Sequence, residues 1–252
     1  MKITIECRVM ASPKKLLFII IPTVVFFIQE QFSIADNDWQ LNDSSIEISD
    51  TEEIELGKQV DKYIRRQFYL ENDPELNTAV SNITERIVSV SDRNKLPFTC
   101  TILQSNSINA FSAPGGYIYL TYGLLKFAKT EDEVACIIGH EIAHASLRHT
   151  SKLYCEIKEF LSHQGDRNTS NKSLLLLISR LEEFEQDADT VGVLYAFKSG
   201  FDPNGLPGFL ERHLALAIRE GIFGILGFGS SLAINTRINH LREYTSTLEK
   251  KR

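Results

Sequence analysis

Two histidines and a glutamate stand close together in "HEIAH", residues 140–144. On a helix, His140 and His144 lie one turn apart on the same face, so both imidazoles can reach one cation. Imidazole nitrogen binds Zn²⁺ at about 2.0–2.1 Å. Glu141 lies beside this pair without being a ligand, and a carboxylate there can take a proton from a water activated by the metal. The pattern therefore predicts a hydrolytic zinc site with Glu141 as the base.

The same short pattern also occurs by chance on exposed helices, so its surroundings matter. The preceding segment, "EDEVACIIG", becomes strongly apolar toward its end, which indicates a buried helix. Buried imidazoles need polar partners, and a shared metal ion satisfies two of them. His149 lies about 140° around such a helix from His144. It is therefore expected on the surface or behind the ligands.

A catalytic zinc ion needs a third protein ligand and an open fourth position. The other carboxylate-rich helical stretch is "EEFEQDADTVG", in which Glu185 and Asp189 share one face at a spacing of four residues. One carboxylate of such a pair can bind the metal while the other orients a ligating imidazole. The alternative is a solvated acidic face, and the residues expected to form one are Glu182, Glu183 and Asp187.

Three segments, "HEIAH", "EFEQDAD" and "NAFSAPGGYIYLTYGLL", together with "GFDP", resemble one family of zinc metallopeptidases. It includes the CAAX prenyl endopeptidase, the HtpX heat-shock protease, the mitochondrial Oma protease and the BepA-type proteases. The resemblance covers about residues 50–245 and implies a gluzincin fold. It implies one Zn²⁺ per chain, bound by His140, His144 and Glu185, with Glu141 as the base. Asp189 matches the aspartate that supports an active-site histidine.

The resemblance also implies a substrate site beside the zinc helix. "NAFSAPGGYIYL" is similar to the strand that would pair with an extended substrate. The residues expected to line the cleft there are Asn109, Ala110, Phe111, Gly115 and Gly116.

One region departs from the family pattern. Many relatives carry His-Pro six residues before an Arg-Ile pair. Here the pair is Arg237 and Ile238, but Ser231 and Leu232 stand where the His-Pro is expected. Arg237 can still share the negative charge of an oxyanion. A gating role that needs the family histidine is in doubt.

The N-terminus differs from the rest of the chain. An apolar run of 13 residues, Leu16–Ile28, follows four basic residues. This length suits a signal-peptide core and is short for a membrane-spanning helix. Ser33 and Ala35 are small residues at a cleavage spacing, so residues 1–35 are expected to be a signal peptide, with an uncleaved anchor as the alternative. Residues 36–50 follow as an acidic linker, and residues 51–252 as the metallopeptidase domain.

The remaining pattern predicts an α+β fold that is mostly helical, with a small β-sheet beside the zinc helix. Strands are expected in "PFTCTILQS" and "YIYLTY", and a loop at 163–173. Helices are expected from about Thr51, at 73–91, 131–150, 173–199 and 204–219, and at the C-terminus.

The sequence therefore predicts an exported zinc endopeptidase of the periplasm or cell envelope. The family resemblance implies that it acts on protein or peptide substrates in protein quality control. Association with a membrane through the N-terminus stays open. The net charge of -6 argues against nucleic acid as a partner. The alternative is a zinc-binding chaperone or assembly factor with little proteolysis, and the intact Glu141 favours the enzyme.

Overall fold

A computed structural model of the chain describes residues 48–162, 167–220, 225–226 and 229–250. The predicted signal peptide or anchor at 1–35 and nearly all of the acidic linker lie outside the described residues. No helix among the described residues is long and apolar enough to cross a membrane.

Eight α-helices are described, and local capping chemistry accounts for the start of several of them. Ser49 and Glu52 form a capping box at the first helix. Asp73 caps the second, with Pro74 as its first residue, and Thr130 caps the fourth. The helices are α1 (Asp50–Gln67), α2 (Pro74–Val88), α3 (Tyr122–Phe127), α4 (Glu131–Ser146), α5 (His149–Ser162), α6 (Arg167–Lys198), α7 (Gly205–Arg219) and α8 (Ser231–Glu249).

A three-stranded sheet has the order β1-β3-β2, with β1 (Thr99–Leu103), β2 (Ala110–Ala113) and β3 (Tyr117–Thr121). β3 pairs in parallel with β1 and antiparallel with β2. β2 is therefore an edge strand of this sheet, and it packs against α4. A two-residue pair, β4 (Ile225–Leu226) and β5 (Gly229–Ser230), precedes α8.

Helix α4 lies at the centre of the molecule. It packs against α2, α6 and α7 and against the sheet, and most of its residues are buried, on every side of the helix. A helix that is apolar all around has to be surrounded by other elements. The elements that surround α4 therefore fix the positions of its buried side chains.

The predicted fold class, mostly helical with a small sheet, is confirmed. Four details of the prediction are wrong. The helix predicted at 131–150 ends at Ser146, because Arg148 takes a left-handed conformation with φ of 60° and the chain turns into a separate helix, α5. "AFSA" forms a third strand, and Tyr122 begins a helix. Residues 167–173, predicted as part of a loop, belong to α6.

Candidate metal centre

Two imidazoles of α4 face the same point. His140 is almost completely buried and His144 is partly buried. Their Nε2 atoms lie 3.0 Å apart, and their rings meet edge to face. The two histidines lie one helical turn apart, as predicted, and their side chains converge on a common site.

Glu185 reaches this site from α6. Its Oε2 lies 3.5 Å from Nε2 of His140, and its Oε1 lies 3.4 Å from Nε2 of His144. Two ligand atoms bound to a tetrahedral zinc ion are about 3.3–3.4 Å apart, since each lies about 2.0–2.1 Å from the metal. The three separations of 3.0, 3.4 and 3.5 Å surround that value. Two imidazoles and a carboxylate are also ligands that zinc prefers, so the described residues fit the ion.

A contact between two glycines brings α4 and α6 together at this place. A Cβ atom added to Gly192 would lie 2.5 Å from both Cα and N of His140. One added to Gly139 would lie 2.5 Å from the carbonyl oxygen of Gly192. The two backbones approach as closely as they do only because neither position carries a side chain. This approach lets the carboxylates of α6 reach the imidazoles of α4.

Asp189 and Arg237 lie behind the three candidate ligands. Asp189 is fully buried, and its Oδ1 lies 3.0 Å from Nδ1 of His140. Nε and Nη2 of Arg237 donate to the two carboxylate oxygens of Asp189, each at 2.7 Å. Nη1 of Arg237 forms an ion pair with Glu185, also at 2.7 Å. The guanidinium therefore fixes both carboxylates of α6 relative to each other.

The carboxylates of Asp189 and Glu185 have the strongest influence on the protonation of the buried imidazole of His140 after burial itself. Burial disfavours a charged His140, but Asp189 and Glu185 outweigh it and raise the pKa of that imidazole to about 10. Burial likewise opposes ionisation of Glu185, yet Arg237 and the imidazoles hold the pKa of its carboxyl group well below the usual value. When the imidazoles are neutral, the three carboxylates of Glu141, Glu185 and Asp189 and one guanidinium give the centre a net charge of minus two. A divalent cation balances this charge.

Glu141 is also in the centre, directly after His140 on α4, and it is buried. No hydrogen bond or ion pair to its carboxylate is found within the described residues. Burial lowers the pKa of Arg237, but the negative charges of Asp189, Glu185 and Glu141 together raise it above its usual value. A buried carboxylate that has no direct partner among the described residues is costly unless another group uses it.

His149 lies behind His144, so the surface alternative for this residue is wrong. It is 4% exposed, and its Nδ1 lies 3.3 Å from Nδ1 of His144. Burial, assisted by His144 and Lys152, lowers the pKa of His149 to about 3. The helical spacing did not reveal this contact, since it depends on the turn at Arg148.

The residues predicted to line a substrate cleft occupy two different environments. Ala110 and Phe111 belong to the edge strand β2, and Asn109 directly precedes it. Gly115 and Gly116 are buried in the turn between β2 and β3 with φ of 77° and 90°. Added Cβ atoms there would meet the backbone of α1 and the ring of Phe98, so the burial argues against direct contact with a substrate.

The model of peptidase family M48 matches residues 74–247, more than half of the chain. The chain belongs to peptidase family M48. This confirms the predicted family resemblance. The matched M48 segment begins with α2 and ends within α8, so it contains every side chain of the metal centre.

Curated relatives include the beta-barrel assembly-enhancing protease of Escherichia coli (strain K12), 28% identical over 183 residues, which are 65% of this chain and 38% of that protein. The mitochondrial metalloendopeptidase OMA1 of Schizosaccharomyces pombe is 29% identical over 187 residues, 69% of this chain and 54% of that protein. The protein of the same name in Arabidopsis thaliana is 34% identical over 113 residues, 42% of this chain and 23% of that protein. This M48 chain thus spans about two fifths of the bacterial relative and about half of the fission yeast one.

Proposed function

We propose that this protein is a zinc-dependent endopeptidase, with the ion held by His140, His144 and Glu185. The observation that carries the proposal is the convergence of these three side chains, whose ligand atoms all lie within 4.8 Å of one another. Membership of peptidase family M48 supports the same reaction. When bound, zinc supplies Lewis acidity, which polarises a peptide carbonyl and makes a water molecule more acidic.

Glu141 is proposed as the general base. Its carboxylate adjoins the ligands on α4, and no described residue engages it through a hydrogen bond or ion pair. It therefore has a lone pair available for the proton of the attacking water. The same carboxylate then delivers that proton to the leaving amine. Burial keeps bulk water from competing for the transferred proton.

Arg237 and Asp189 are proposed to position the ligands. Asp189 faces Nδ1 of His140, so it favours the tautomer that leaves Nε2 free for a metal. Arg237 neutralises part of the charge of Glu185 and holds it toward the imidazoles. His140, Asp189 and Arg237 are buried, and the low dielectric there strengthens the electrostatic interactions among them. The predicted role of Arg237 in sharing oxyanion charge stays a prediction.

An extended peptide is proposed to pair with the outer edge of β2. The strand uses only one of its edges for β3, and it lies against α4. A substrate strand added there would bring its scissile bond close to the ligands by main-chain hydrogen bonds alone.

The relatives' names and the N-terminal sequence support a proposal for the substrates and the location. One relative is named for assisting the assembly of β-barrels, and others for a mitochondrial location. Together with the predicted signal peptide, these names favour envelope proteins as substrates and protein quality control as the process. The periplasm or envelope is the corresponding location, with possible anchoring through residues 1–35.

The test is peptide hydrolysis by Glu141→Gln at matched zinc content. The change keeps the shape of the side chain and removes the base, so activity should fall by about a hundredfold or more. Glu182→Gln is the matched control, since Glu182 is exposed on α6 and its substitution should leave activity unchanged. If Glu141→Gln cleaves at the parental rate, the hydrolytic assignment fails and a zinc-binding chaperone becomes the better account.

A further inference from the structure

The chain turns sharply directly after the helix that carries both histidine ligands. α4 ends at Ser146, and Arg148 adopts a left-handed conformation with φ of 60°. This conformation is uncommon for any residue other than glycine. It turns the chain so that His149, the first residue of α5, lies against the last turn of α4. The backbone thereby brings a third imidazole to a metal ligand.

Polar contacts with the start of α1 hold this turn. Nη1 of Arg148 donates to the carbonyl oxygen of Ile48 at 3.0 Å and to Oε2 of Glu53 at 3.3 Å. Nη2 of the same guanidinium pairs with Asp50. Glu53 is fully buried. These contacts offset the unfavourable conformation of Arg148, as expected where strained backbone has a function.

The ring of His149 has little freedom to move. It stacks on Phe184 with 4.1 Å between ring centroids and 10° between the ring planes. Phe184 is itself buried and directly precedes the ligand Glu185 on α6. The imidazole is therefore fixed between the two helices that supply the metal ligands.

The tautomers of the two rings follow from the position of the metal. An imidazole that binds a metal through Nε2 keeps its proton on Nδ1, and that N–H usually donates to a fixed acceptor. Nδ1 of His144 lies 3.3 Å from Nδ1 of His149. His144 must then be the donor, and Nδ1 of His149 must be the acceptor.

We infer that His149 is a positioning residue, whose Nδ1 accepts a hydrogen bond from His144 and aims Nε2 of His144 at the metal. The inference rests on the proposed zinc site. It gives the two ligating histidines different supports: His140 faces the charged carboxylate of Asp189, whereas His144 faces an uncharged acceptor. The second ligand is thereby oriented without a further negative charge in the centre.

Three substitutions separate the hydrogen bond from the packing of the ring. His149→Phe keeps a flat ring on Phe184 and removes the acceptor. His149→Asn loses the ring but carries an oxygen near the position of Nδ1. His149→Gln also loses the ring and carries its oxygen farther out. The measurement is the zinc dissociation constant of the full chain, by competition with a chelator, together with the melting temperature of the metal-free protein.

His149→Phe should bind zinc about 10–100-fold more weakly than the parent, the usual loss for a group that orients a ligand. His149→Asn should stay within a few-fold of the parent, and His149→Gln should resemble His149→Phe. Parental affinity in His149→Phe would overturn the inference, and so would equal losses in His149→Asn and His149→Gln. The Asn and Gln pair decides the question even if His149→Phe does not fold. If the parent itself binds no zinc, the proposed function fails as well.

Discussion

Substitution of Gly192 by alanine tests whether the close contact of α4 and α6 builds the metal centre. The added Cβ atom would lie 2.5 Å from Cα and N of His140 and 2.7 Å from the carbonyl carbon of Gly139, whereas ordinary contacts are 3.4–4 Å. All three of these atoms belong to the backbone and cannot rotate away. The two helices must therefore separate by roughly 1 Å to restore an ordinary contact.

The expected loss of stability combines two opposite effects. Overpacking costs about 1–3 kcal/mol, and the upper half of that range applies here because the atoms met belong to the backbone; alanine is favoured over glycine within a helix by about 1 kcal/mol. The net destabilisation should be about 1–2 kcal/mol. For a chain of this size, each kcal/mol lowers the melting temperature by about 2–4 °C. Gly192→Ala should therefore melt a few degrees below the parent.

Gly192→Ala should also weaken zinc binding, because metal–ligand distances tolerate deviations of only about 0.2 Å. A shift of roughly 1 Å would carry Glu185 and Asp189 away from His140 and His144. We expect zinc binding at least about tenfold weaker than in the parent. Thermal melting of the metal-free protein and chelator competition measure the two effects separately.

Gly208→Ala on α7 is the matched control. The nearest atom to a Cβ there is a terminal nitrogen of Arg212 at 4.0 Å, so the new methyl group meets no obstacle. This variant should keep the parental zinc affinity and melt about 2–4 °C above the parent, because alanine favours the helix by about 1 kcal/mol. Parental values in Gly192→Ala itself would refute the argument that this contact sets the geometry of the centre.

Three further predictions concern a ligand, a helix cap and the N-terminus. Glu185→Gln should weaken zinc binding by at least about tenfold, whereas Glu182→Gln on the same helix should not, as chelator competition would reveal; equal affinities would move the third ligand elsewhere. Thr130→Ala removes the Oγ1 atom that caps α4 by accepting a hydrogen bond from the amide of Glu133 at 3.2 Å. The free energy of unfolding, measured by chemical denaturation, should fall by about 1 kcal/mol, and the zinc affinity should stay unchanged. An unaltered unfolding midpoint would contradict this prediction. Intact mass from the native host should correspond to a mature chain starting at Asp36, and a full-length mass in the membrane fraction would instead support the anchor.

The local part of the site could be predicted from the sequence, because it depends on spacing along one helix. His140, His144 and Glu141 are positioned by the period of α4, and the exposed face of Glu182, Glu183 and Asp187 follows from the period of α6. Glu185 and Asp189 were correctly expected to share a face. Their approach to α4 depends on tertiary packing, and for this the family resemblance was needed.

Two features could not be predicted, since one depends on backbone that departs from regular helix and the other on how distant helices pack. A helix continued through residue 150 directs His149 away from His144, and only the left-handed Arg148 reverses this. The position of Arg237 between Asp189 and Glu185 likewise depends on how α8 packs. Long-range partners of a buried guanidinium leave no periodic signal in the sequence. By contrast, the turn between β2 and β3 is correctly predicted from Pro114 and the two glycines after it.

The most direct test of the metal centre is an anomalous-difference map collected at the zinc edge from crystals of the zinc-loaded Glu141→Gln protein. One peak should lie within about 2.0–2.2 Å of Nε2 of His140, Nε2 of His144 and an oxygen of Glu185, with an open fourth position. A map with no peak at these three atoms, or with its peak at another set of ligands, would contradict the account.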